Sequence, residues 1–321
     1  MVDTVVRSGE GGGRRVVILM GTHNGARHLR EQLESIHRQT HQNWRLLVSD
    51  DASSDDTLSI LDDFAASNGR DRVRVRSGPC RGFVANFLSL AADPGEDADY
   101  FAFSDQDDVW HENKLQRALE MLEAVPDSRD SPMLYCGRTR LVSESLRPLG
   151  ESRLSRQKPC FSNALVQSIA GANTMVFNDA ARHLVGAAAC SDFLPASHDW
   201  WSYLAVTGAE GRVLYDSCPT IDYRQHNANV QGDNRGLRAR ARRFRQLFEG
   251  RLRSWNAAHL HSLGLIQGAL SERNRVLLRA FAEVHAAGGA RAWVRLMQTG
   301  IRRNSVADNL ALQLAALAGR L

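Results

Sequence analysis

The sequence predicts an α/β fold built on an open, mostly parallel sheet, followed by a basic helical region. Three observations carry that prediction. Apolar, β-branched runs alternate with helix-period patterns, polar and acidic residues gather where those runs end, and charge is split unevenly along the chain. "RVVILM" (15–20) reads as a buried parallel strand and "GTHNGA" as the turn after it. Leu29, Leu33 and Ile36 then recur at helical spacing. "WRLLVSDD" is a second strand ending in acids, and "SSDDT" supplies capping residues for a helix bearing Leu58, Leu61 and Phe64. "RVRV" is a short third strand, "FVANFLSLAA" a helix, "DYFAFSDQDD" a fourth strand ending in carboxylates, and Leu115, Leu119 and Leu122 line the next helix. Beyond it, "MLYCGRTRLV", "ANTMVF" and "RVLYD" read as strands among Ala-rich helices.

The chain has 321 residues, 43% hydrophobic and 24% charged, an ordinary globular composition with length for a sizeable core. No apolar run reaches the roughly 18 residues a membrane span needs. Residues 1–14 read as a flexible leader without a signal core, and a cytoplasmic location is expected. Five scattered cysteines lack metal spacing and are expected to be reduced core thiols. Residues 235–321 carry 16 Arg and 4 acids, net +12, so residues 1–234, with 24 basic and 32 acidic side chains, carry −8. A basic part facing something anionic is expected.

In open parallel sheets, ligands bind beyond the carboxyl ends of the strands. Here those ends carry "GTHN", "SDDASSDD" and "SDQDD". "FSDQDDVW" (103–110) crowds Asp105, Asp107 and Asp108 beside Phe103, Val109 and Trp110. Two like charges about 4 Å apart repel by roughly 1 kcal/mol in water and by more in a drier site. A hard divalent cation, Mg²⁺ or Mn²⁺, shared with a diphosphate would offset that repulsion; solvated turns and helix caps are the competing reading of such residues. In "ASHDWW", Asp199 reads as a helix cap whose pKa burial beside Trp200 and Trp201 would raise.

The ordered set "VVILMGTHNGARHLREQLESIHRQTHQNWRLLVSDDASSDDT", "GFVANF" and "YFAFSDQDDVW" resembles the donor half of family 2 glycosyltransferases with the GT-A fold. "GANTMVFN", "HDWW" and "YRQHNANVQG" are similar to the branch containing rhamnosyltransferases of cell-surface polysaccharide assembly. The resemblance covers about residues 15–232 and implies a Rossmann-like GT-A domain over 15–234, with a nucleotide-sugar half (15–130) and an acceptor half (131–234), before the helical region 235–321. It implies that Gly21, Thr22 and His23 line the nucleotide pocket, His23 replacing a common Tyr, that Asp51 bonds the base, and that Arg81 reaches the donor phosphates. It further implies that Asp105 faces the ribose or a metal-bound water, that Asp107 binds the metal, that His226 contacts the diphosphate or metal, and that Asp199 is the catalytic base. "GANT" (171–174) would lie under the sugar, and Asp108 would cap the next helix. Gly21 and Ala52 depart from a common Pro and Gly, and the processive Q-x-x-R-W pattern is absent, which favours transfer of one sugar per encounter.

The implied reaction is inverting, metal-dependent transfer from a nucleoside-diphosphate sugar, dTDP-L-rhamnose by branch resemblance, to a glycan or lipid-linked glycan. A nucleotidyltransferase and a non-enzymatic sugar- or membrane-binding module are the alternatives. In residues 235–255, Leu237, Ala241, Phe244, Phe248, Leu252 and Trp255 form one helical stripe among eight Arg. That pattern fits either peripheral attachment to an anionic membrane, the cytoplasmic face of the inner membrane, or docking on the acidic domain. The short apolar helices of the tail equally suit a homodimer. Nucleic acid is disfavoured, because the acidic strand ends would repel a phosphate backbone and no binding motif is present.

Overall fold

The computed structural model describes residues 13–93, 97–126, 130–226 and 251–321. The leader through residue 12 and the tail stripe positions 237, 241, 244 and 248 lie outside the described residues. In the first part, β1 (Val16–Thr22), α1 (Ala26–His37), β2 (Trp44–Asp50), α2 (Thr57–Asn68), β3 (Val73–Ser77), α3 (Phe83–Ala92) and β4 (Tyr100–Ser104) alternate as expected. The second part comprises β5 (Val109–Trp110), α4 (Lys114–Glu123), β6 (Met133–Gly137), β7 (Arg140–Ser143), β8 (Pro148–Glu151), α5 (Phe161–Ala164), β9 (Val176–Asn178), α6 (Asp179–Gly186), α7 (His198–Gly208), β10 (Arg212–Asp216) and β11 (Ile221–Gln225). Helices α8 (Arg251–Leu265), α9 (Glu272–Ala287), α10 (Gly289–Thr299) and α11 (Val306–Leu317) complete the chain.

The main sheet has the order β10-β6-β9-β4-β1-β2-β3. Strand β1 pairs in parallel with both β2 and β4, and its Val16–Met20 are buried on both faces, which is why the run is continuously apolar. The strand runs two residues past its expected end, because Gly21 and Thr22 still pair with Ser49 and Asp50. One strand runs backward: β9 is antiparallel to both neighbours, β4 and β6. "MLYCGRTRLV" divides between two sheets, β6 in the main one and β7 in a smaller sheet of order β5-β11-β7-β8.

Helix packing follows the apolar spacing, with one shift. Leu29, Leu33 and Ile36 of α1 and Leu115, Leu119 and Leu122 of α4 are buried. In α2 the inward face is Thr57, Ile60, Leu61 and Ala65, while Leu58 points outward. Burying one such aliphatic side chain stabilises the fold by about 1.5–3 kcal/mol. Of the five cysteines, all free, only Cys136 is in the core; Cys80, Cys160, Cys190 and Cys218 are exposed, against the expectation of core thiols.

The C-terminal helices share the core of the sheet. Leu252, Leu263, Phe281, Val284, Leu296 and Leu312 belong to the same apolar cluster as Phe103, Phe177, Trp201 and Leu204. Leu252 is buried, and Trp255 packs edge-on against Trp200 at 6.0 Å. At these two positions the tail stripe faces the protein rather than a membrane.

Candidate active site

The carboxyl ends of β1, β2 and β4 carry three interlocked loops. Thr22 ends β1 and donates from Oγ1 to Asp50 Oδ1 at 2.8 Å, while Asp50 also accepts from Ser53 N at 2.8 Å and Ser53 Oγ at 2.6 Å. Thr22 is therefore a buried brace rather than an exposed pocket wall. The next residue, Asp51, is half-buried; its Oδ1 accepts from Cys80 N at 3.0 Å. Gly78 makes room for that carboxylate. A Cβ there would stand 2.2 Å from Asp51 Oδ1, 3.0 Å from Asn86 Oδ1 and 3.1 Å from the Asp50 carbonyl oxygen. Asp55 bonds Ala26 N and Thr57 N, the turn-and-cap use open to it from sequence.

His23 is exposed, and its Nδ1 lies 2.7 Å from the Asp51 carbonyl oxygen. Gln106, from the middle of the acidic loop, accepts from His23 N at 2.9 Å and donates to His23 O at 3.1 Å, as a paired strand would. A Cβ on Gly25 would come within 2.3 Å of the Gln106 amide. Gln106 thus ties the loop after β1 to the acidic loop. It was not singled out from sequence because a neutral amide among acids gives no chemical signal. Backbone strain concentrates here as well: Asn24 (φ 48°), Ala52 (φ 61°) and Cys80 (φ 53°) are left-handed. Ala52 stands where the family commonly has Gly, and the left-handed geometry explains that preference.

The acidic loop separates its three carboxylates by environment. Asp107 Oδ2 lies 2.7 Å from His226 Nε2. Asp105 is half-buried, and among the described residues no hydrogen bond reaches its carboxylate. Burial, then the charges of Asp107 and Asp199, push its pKa up to about 7. Asp108 is fully buried and accepts from Asn173 Nδ2 at 2.6 Å and Arg224 N at 3.3 Å, with burial raising its pKa well above the usual range. It does not cap α4, whose N-cap is Asn113; it fastens β4 to the Ala172–Thr174 turn and β11. Lys114 Nζ, also buried, sits 3.5 Å over the Trp110 ring, and burial draws its pKa down to about 7.

Arg224 is a second brace. Its side chain is 1% exposed, donates to the Asp107 carbonyl at 2.9 Å, and also bonds the Glu144 carbonyl and the Glu31 carboxylate. His226, two residues on, is thereby delivered to Asp107 from β11, with His28 ring to ring at 5.6 Å. Arg81 is exposed and donates from Nη2 to Ser191 O at 3.3 Å, which joins the loop before α3 to the loop before α7.

Asp199 stands in the first turn of α7, whose N-cap is Ser197. Its Oδ1 accepts from Trp200 N at 2.8 Å, and burial raises its pKa. Trp200 and Trp201 are buried and bonded through their indole N–H groups to Ala164 O and Val185 O, which fixes the apolar wall behind the carboxylate. His198 stacks on Phe87 at 4.1 Å and meets Phe103 edge-on at 5.2 Å. Neither of its ring nitrogens has a partner, and burial lowers its pKa to about 3, so it is neutral packing. The Asp199 charge contributes, after burial and Asp107, to raising the Asp105 pKa, so the two carboxylates lie within electrostatic reach of each other.

The oxygen-rich pair Asp105 and Asp107, with the His226 imidazole, has the donor chemistry for Mg²⁺ or Mn²⁺. Among the described residues no group of three His, Cys, Asp or Glu side chains is arranged to hold a metal alone, so an ion there would take its remaining ligands from a bound molecule and water. The site thus joins the loop after β1, an acidic pair with cation-type donors and the buried carboxylate at the start of α7.

Comparison with known proteins shows the family and the fold. The dTDP-rhamnosyl transferase RfbG of Shigella flexneri is 28% identical over 233 residues, 70% of this chain and 78% of RfbG. The putative glycosyltransferase EpsE of Bacillus subtilis (strain 168) is 34% identical over 111 residues, 35% of this chain and 39% of EpsE. Among solved structures, S. aureus TarS 1-349 in complex with UDP-GlcNAc has a TM-score of 0.53 at 12% identity, covering 89% of each chain. GalNAc-T7 with UDP, GalNAc and Mn2+ has a TM-score of 0.51 at 13% identity, covering 75% of this chain and 51% of that one. The fold is therefore GT-A. Residues 17–179, half of the sequence, match the family described as glycosyl transferase family 2, and this chain is a glycosyltransferase of that family.

Proposed function

We propose that the enzyme transfers one sugar, L-rhamnose from dTDP-L-rhamnose, with inversion to a hydroxyl of a cell-surface polysaccharide or lipid-linked glycan precursor. The observation that carries this reading is Asp199, a buried carboxylate in the first turn of α7, backed by Trp200 and Trp201 and within electrostatic reach of Asp105. Likeness to RfbG supports the choice of donor. Asp51, pinned by Cys80 N, presents its other oxygen to the base, and His23 flanks it. Arg81 stands toward the donor phosphates. Asp105 and Asp107, with His226, would hold a divalent ion that stabilises charge on the departing diphosphate. Asp199 accepts the acceptor hydroxyl proton at its carboxylate while that oxygen attacks the anomeric carbon from the face opposite the diphosphate. Trp200 and Trp201 keep water from the base. The arginine-rich residues 235–255, although Leu252 and Trp255 at their end pack on the protein, would bring the enzyme to an anionic membrane carrying the acceptor.

The test is calorimetry with dTDP, UDP, GDP and CDP, each with Mn²⁺ and with EDTA, on the wild type and Asp107→Asn. Binding of dTDP alone, lost with EDTA and in Asp107→Asn, supports the reading. Metal-independent binding, or preference for another nucleotide, sinks it.

A further inference from the structure

Helix α11 presents an outer face with no charge. Its inner side, Ala311, Leu312, Ala315 and Ala316, is buried in the core. Its outer side exposes Val306 (88%), Leu310 (57%), Leu314 (39%) and Leu317 (44%), one above another at helical spacing, with Ala307 in the first turn and Ala318 at the C-cap also exposed. The single acid of the helix, Asp308, is turned aside to Arg153 and Ser305. A stripe of large aliphatic side chains left in water on a folded helix marks an interaction surface.

Exposed Arg302 and Arg320 flank the helix on its two sides in sequence, and residues 251–321 as a whole hold ten Arg and three acids, net +7. All three acids are engaged: Glu272 by Arg275 and Arg279, Glu283 by Arg295, and Asp308 by Arg153. At 12 residues, α11 is about 18 Å long, too short to cross a bilayer but suited to lie in its surface. Self-association through this face would bring two cationic surfaces together, so a second copy fits it poorly.

We propose that the outer face of α11 inserts into an anionic phospholipid surface, with the arginines of the C-terminal helices on the headgroups. The proposal goes beyond the assigned reaction, since it holds whichever sugar is moved, and it names a surface separate from residues 235–255.

The test is co-sedimentation of the full-length protein with vesicles of phosphatidylcholine alone or mixed equally with phosphatidylglycerol. The expected result is binding to the anionic vesicles only, weakened about tenfold or more in Leu310→Glu/Leu314→Glu. Thermal melting and calorimetric nucleotide binding should match the wild type. Val306→Glu, at the most exposed position, should weaken binding without touching the core, and Leu310→Trp should strengthen it, so both decide the matter if the double variant unfolds. Retained binding in Val306→Glu and the double variant overturns the proposal, as does no binding by the wild type or a dimer that Val306→Glu dissociates. Loss of binding only in Arg240→Glu/Arg242→Glu/Arg243→Glu would overturn it while leaving the membrane role of residues 235–255 standing.

Discussion

Gly78→Ala tests whether Asp51 meets the nucleotide without altering Asp51 itself. The added Cβ would lie 2.2 Å from Asp51 Oδ1. Ordinary contact begins near 3.4 Å, so the carboxylate must retreat by about 1 Å, and the neighbouring contacts at 3.0 Å and 3.1 Å, one of them backbone, give the Cβ little room to move instead. That retreat breaks the 3.0 Å bond from Cys80 N, a hydrogen bond to a charged group. Such a bond contributes about 1.5–3 kcal/mol, which corresponds to a loss of roughly tenfold to a hundredfold in nucleotide affinity if Asp51 must hold its position to bind. The assay is calorimetric titration with dTDP, paired with a melting curve. Gly264→Ala, where nothing lies within 4 Å of the added Cβ, is the control. If Gly78→Ala binds dTDP within twofold of the wild type while folded, Asp51 is not a nucleotide ligand and the assignment fails.

Three further outcomes are expected. Asp199→Asn lowers kcat by about 10²–10⁴-fold while dTDP affinity and the melting temperature hold, as steady-state rates with calorimetry will show; a smaller loss places the base elsewhere. Burial holds the folded-state pKa of His259 near 3, below its unfolded value of about 6.5, so its contribution is present above pH 6.5 and is lost as pH falls toward 3. Both of its ring nitrogens lack partners, so His259→Phe should add about 1–3 kcal/mol at pH 5 and flatten the stability–pH curve there, measured by urea unfolding. Ala52→Gly should stabilise by up to about 1 kcal/mol, because relief of left-handed strain at φ 61° exceeds the entropy cost of glycine; a loss in chemical denaturation would contradict the strain argument.

Much of the donor half was legible because burial on both faces forces continuous apolar strands, and helix packing forces the Leu29–Leu33–Ile36 spacing. The strand ends were legible too, since Asp51 follows β2 and Asp105 and Asp107 follow β4, as the acidic runs after the apolar strands imply. Other features depended on partners distant in sequence. Asp108 looks like a cap until Asn173 and Arg224 are known to close on it. Thr22 looks like a pocket residue until Asp50 is seen to take its hydroxyl. The reversed β9 is only three residues long, too short for periodicity to show its direction.

That reversed strand also limits how the enzyme can be divided. Because β9 comes from the later half of the chain and lies between β4 and β6, cutting near residue 130 would strip β4 of one neighbour and bare a long edge. The first 130 residues are thus not a portable module to be exchanged between relatives like a cartridge. Changes of donor preference are better sought by replacing loop residues within an intact chain than by stitching halves of two enzymes together.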